Sequence, residues 1–160
     1  MFESEGETIS ASTSSSIKLA LKAAAKEKYD ELLHSGSSTT AEVSGIIASR
    51  HFPEDKQKIA GAFKIARDGH KAEAVELANR LEEDDNPSRV ILSLAIQAYT
   101  DAFRLTLKLK DNESAKQLSD ARFGLQIKYH EFSESNSEKA VLKVADQVEK
   151  ELFKKLLRGD

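Results

Sequence analysis

Apolar residues recur along this chain at helical spacing, separated by short polar breaks. IKLALKAAAKEKYDELLHSG places Ile17, Leu21, Ala24, Ala25 and Leu32 on one face, with Ser15 or Ser16 as a cap and Gly36 as a stop. After the loop SGSSTT, Thr40 can cap a short helix, AEVSGIIASR, with Val43, Ile46 and Ile47 inward. The residue before Pro53 avoids helical backbone, and Pro53 with Glu54 and Asp55 suits the opening turn of a third helix. Its stripe is Ile59, Ala62, Phe63 and Ala66, and Asp68-Gly69 is expected to break it. A fourth helix, from about His70 to Glu83, turns Ala74, Leu77, Ala78 and Leu81 inward. It meets four carboxylates in EEDD, which oppose its dipole, and then Pro87.

SRVILSLAIQAYTDAFRLTLKLK, residues 88 to 110, leaves almost no fully polar face. A helix apolar nearly all round is either central to a packed array or exposes a sticky surface. Asp111-Asn112-Glu113 makes a turn, after which Leu118, Ala121, Leu125, Tyr129 and Phe132 form a sixth stripe. Ser137 then caps a last helix with Val141, Val144, Val148, Leu152 and Leu156 along one side. The pattern predicts an all-α fold of about seven antiparallel-paired helices and no sheet.

Composition narrows this further. A chain of 160 residues suits a single domain, read as residues 15 to 160. Eight of the first sixteen residues are Ser or Thr, so residues 1 to 14 are expected to form a disordered tail. There is no cysteine, hence no disulfide or thiolate metal site. No run reaches the ~18 apolar residues of a membrane span. An acidic start (Glu3, Glu5, Glu7) is unlike a presequence, so the expected location is the cytoplasm. A net charge of −3 with both signs mixed gives no general attraction to nucleic acid or anionic lipid.

AFKIARDGHKAEAVELANRL (62 to 81) and AFRLTLKLKDNESAKQLSDA (102 to 121) share an opening Ala-Phe and a later central alanine, Ala74 and Ala115. With Gly69, Ala74, Leu77, Leu81 and Asn86-Pro87, the stretch from 54 to 83 resembles a tetratricopeptide-type helical hairpin. That resemblance implies stacked helix pairs that bind peptides in a groove. It covers under half the chain. It departs from the family at Ala78, where a large residue is usual, and at Lys110, which stands where the second unit would have its glycine. The alternative is two ordinary antiparallel helix pairs, with Ala-Phe and the central alanines as packing positions.

Few residues suggest chemistry. Glu31 and His34 make one Glu-x-x-His, whereas a di-iron bundle needs two. The acidic pairs Glu27/Asp30, Glu73/Glu76 and Glu82/Asp85 have the i, i+3 spacing used by magnesium-dependent all-α nucleotide hydrolases. Residues 39 to 68 can be read as a nucleic-acid-binding helix-turn-helix, with Lys56, Lys58, Lys64 and Arg67 on its second helix but Glu54 and Asp55 where phosphates would approach. Arg158-Gly159-Asp160 matches a cell-adhesion tripeptide that recurs by chance. No phosphate loop or nucleophile motif is present, so no catalytic residue, metal ligand or cofactor is assigned. The expected function is protein–protein interaction, as an adaptor, chaperone-like factor or small subunit of a complex, with another protein or a second copy as partner. The expected binding face is Leu92, Ile96, Tyr99, Phe103 and Leu107.

Overall fold

The computed structural model describes residues 11–84, 86, 88–129 and 137–159. Among them are six helices and no strand: α1 (Ala11–Leu33), α2 (Ser38–His51), α3 (Lys56–Glu83), α4 (Arg89–Lys108), α5 (Asn112–Tyr129) and α6 (Ser137–Arg158). The all-α reading holds. The count falls from seven to six because Asp68-Gly69 breaks nothing: α3 runs through it for 28 residues. The stretch 62 to 81 thus lies inside one helix, whereas 102 to 121 straddles the turn between α4 and α5. Ala74 and Ala115 are both buried.

Local chemistry sets the helix ends. Ser37, three residues before the expected Thr40, caps α2 by accepting from the Thr39 and Thr40 amides. Pro53 lies in the preceding turn, and Asp55 caps α3 through the Lys58 amide. Ser88 caps α4 through the Ile91 amide. At the end of α4, Lys110 N–H donates to the Leu107 carbonyl and Asp111 N–H to that of Thr106, which is the Schellman pattern. This closure needs left-handed backbone, and Lys110 adopts it with φ 61. Asp111 then caps α5, accepting from the Ser114 amide at 3.2 Å. At the other end of the chain, α1 begins at Ala11, so residues 11 to 14 of the expected tail are helical. The rest of that tail lies outside the described residues, as does Phe132.

Packing divides the core between two lobes that share α3 and α4. In one lobe, Ala25 and Tyr29 of α1, Val43 and Ile47 of α2, Phe63 and Ala66 of α3, Leu105 of α4 and Val148 and Leu152 of α6 form one cluster with Phe52. In the other, Ala74, Leu77 and Leu81 of α3 meet Leu92, Ala95, Ile96 and Tyr99 of α4, with Leu118 and Leu125 of α5 closing the far side. The seam between α3 and α4 is the most extensive among the described helices.

Two glycines explain how α2 and α3 cross so closely. A Cβ at Gly45 would lie 2.7 Å from the Phe63 ring, and one at Gly69 would overlap the Ser38 hydroxyl. Each helix thus offers a glycine to the other's side chain, and Gly69 serves clearance rather than a turn. Gly61, by contrast, faces open space.

Gly45→Ala should therefore lower the unfolding free energy by about 1–3 kcal/mol through overpacking. Gly61→Ala should raise it by about 0.5–1 kcal/mol through helix propensity. Urea titrations of both variants check the contrast. The Asp111 carboxyl is held below its ordinary pKa by hydrogen bonding to Ser114, with Arg67 adding a favourable charge. A depressed carboxyl pKa stabilises the fold above the unfolded-state value, and that stability is lost as pH falls through the folded one. Asp111→Ala should thus narrow the stability gap between neutral and acidic pH, read as thermal midpoints across that range.

Candidate functional site

Helix α4 does not present the face expected of it. Leu92 and Ile96 are buried against Leu77 and Leu81, and Tyr99 against Ala74 and Leu118. Burial pushes the Tyr99 hydroxyl pKa up. Phe103 is half-buried, its ring 5.4 Å from the Arg122 guanidinium. Leu107 alone of the five is open, at 48% exposure. The physical reason is that α5 folds back along one flank of α4 while α3 covers the other. By length and composition α4 is long and apolar enough to cross a membrane, and half of that stretch is buried inside the protein.

The apolar side chains left outside lie elsewhere, and six of them pair at i, i+4 spacing. Val90 and Leu94 share the outer face of α4, Phe123 and Ile127 that of α5, and Phe153 and Leu157 that of α6. On α4, the same side carries Asp101, Arg104 and Leu105 under α2 further along, so Val90 and Leu94 lie beyond the cover that α2 provides. Sequence reasoning missed these pairs because a dense apolar run does not show which face the neighbouring helices will take.

The polar interior was also missed. Ala41 to Ala48 of α2 are all buried, Glu42 among them with no exposure. Both Glu42 oxygens accept from Arg104 of α4, one at 2.9 Å from Nη2, and Asp101 accepts from the same Nη2 at 3.3 Å. Burial pushes the Arg104 pKa down; hydrogen bonds and charge from Glu42, with Asp101, outweigh this and leave it raised. At the other end of α2, Arg50 pairs with Asp146 and Glu149 of α6, and His51 with Glu149 at 2.8 Å. One carboxylate in the otherwise small and apolar AEVSGIIA, and one arginine within AFRLTL, were the available signals.

The remaining candidates are scattered. Glu27 and Glu31 line a cleft of about 490 Å³ between α1 and α6, together with Lys28, Lys155 and Arg158; Asp30 is not part of it. Lys28 lies 3.0 Å from Glu31, and the His34 ring donates to the Asp30 carbonyl. Glu73, Glu76 and Glu82 are exposed on α3, and Asp85 lies outside the described residues. No group of three or more potential metal ligands occurs among the described residues. Of the four cations in the helix-turn-helix reading, Arg67 is tied to Asp68 and Asp111, and Lys58 lies over the Tyr29 ring.

Comparison with protein-family models, with curated proteins and with solved structures finds no match to this chain.

Removing one partner of the buried pair leaves an uncompensated charge. Glu42→Ala should cost about 3–5 kcal/mol, whereas the triple variant Glu42→Leu, Asp101→Ala, Arg104→Met should lose far less. Denaturant midpoints of the two proteins give the comparison.

Proposed function

We propose that this protein is a protein–protein interaction module, an adaptor or small subunit that binds through helix faces left apolar outside its own core. One observation carries the reading: the i, i+4 pairs Val90/Leu94, Phe123/Ile127 and Phe153/Leu157 stand outside a core that is already complete without them. Single exposed apolar residues are normal on any protein. Pairs one turn apart are the spacing at which one helix anchors another. The binding face moves accordingly, from the buried side of α4 to the outer faces of α4, α5 and α6.

The surroundings favour partner binding over catalysis. The cleft between α1 and α6 has carboxylates and cations interleaved. The buried pair of Glu42 and Arg104 holds two helices together.

The test is capture of partners from an extract of the source cell on immobilised protein, followed by three double variants: Val90→Ser/Leu94→Ser, Phe123→Ser/Ile127→Ser and Phe153→Ser/Leu157→Ser. At least one should abolish retention of a specific partner while circular dichroism and melting temperature stay unchanged, because these side chains contribute little to the core. Equal retention by all three folded variants would overturn the reading.

A further inference from the structure

We infer that the outer face of α5 is a self-pairing surface, where a second copy of this chain docks its own α5 antiparallel across a twofold axis at Gly124. This rests on the interaction reading above and names the partner for one of its faces.

The argument starts from a glycine without an internal purpose. An exposed glycine inside a helix costs about 1 kcal/mol relative to alanine. Gly45 and Gly69 answer that cost with close crossings, but a Cβ at Gly124, like one at Gly61, would meet nothing within 4 Å. Helix α5 is an edge element whose extensive packing is against α4 alone. Its inner face carries Ala115, Leu118 and Leu125, and its outer face carries Phe123 at 55% and Ile127 at 51% exposure. A glycine between two outward apolar side chains is where a second helix can approach closely.

Charge order identifies that helix as a copy of α5. Asp120, Gly124, Ile127 and Lys128 share the outer face. Asp120 and Lys128 stand four residues either side of Gly124. In an antiparallel pair centred on Gly124, each Asp120 lies level with the other copy's Lys128, so two opposite-charge contacts form by symmetry. The two glycines meet at the closest point. Such an interface is isologous, the commonest kind in homodimers. Asp120 has no partner among the described residues, and Lys128 lies 5.5 Å from its neighbour's ring, Tyr129. The overlap is short, so the dimer is weak and concentration-dependent.

Sedimentation equilibrium of the full chain from low-micromolar to millimolar concentration tests this. Wild type should move from monomer toward dimer mass. Asp120→Lys and Lys128→Asp should each weaken association by at least about tenfold, because like charges then oppose twice. The double variant Asp120→Lys/Lys128→Asp should restore it, and Gly124→Leu, harmless to the isolated helix, should weaken it again. Circular dichroism confirms that each variant is folded. A wild-type monomer throughout, association indifferent to these substitutions, or a folded double variant that stays monomeric would overturn the pairing. None of those outcomes touches the interaction reading, which stands or falls on the extract capture.

Discussion

Glu42 and Arg104 hold this molecule together in a way that its apolar contacts do not. A carboxylate with no exposure has been taken out of water, and only a partner with matched geometry makes that tolerable. Arg104 supplies it with two N–H groups, and Asp101 shares the guanidinium. The pair joins α2 to α4 and so fixes how the first lobe sits on the hairpin that both lobes share. Apolar packing tolerates small slides; a forked charge pair does not. The glycine-cleared crossing of α2 on α3 and the Glu149 contacts at the far end of α2 work within that constraint.

The sequence showed most of the helices because their apolar stripes are local facts. The inward residues of α2, Val43, Ile46 and Ile47, are buried as their spacing requires, and so are Val141, Val148 and Leu152 of the α6 stripe, whereas Val144 of that stripe is exposed and Leu156 only partly covered. Three things were not legible, and each has the same cause. Asp68-Gly69 looks like a break, but the glycine answers to Ser38, thirty-one residues away. Leu92, Ile96 and Tyr99 look like a spare face, but α3 and α5 cover them. Glu42 has no local sign of burial, because its partner lies sixty-two residues on. Periodicity reports what a helix offers and is silent about what arrives.

The candidate faces follow from the same division. Apolar residues that meet other helices and apolar residues left outside are not separable by composition. Only the positions of α2, α3 and α5 around α4 sort Val90 and Leu94 from Leu92 and Ile96. Lys110 is a smaller case of context overriding type: a lysine takes left-handed backbone because the closure of α4 demands it.

The unbroken course of α3 also makes it a shaft on which both lobes are indexed. Its first half carries Phe63 and Ala66 into one core and its second half carries Ala74 and Leu77 into the other. A helix advances about 1.5 Å and turns about 100° per residue. Gaining or losing one residue between Ala66 and Ala74 would rotate one lobe's contact stripe away from its partners while the other stayed seated. Packing therefore fixes the length of this segment. The turn at residues 34 to 37, where no stripe is in register with another, is where the chain can lengthen or shorten freely.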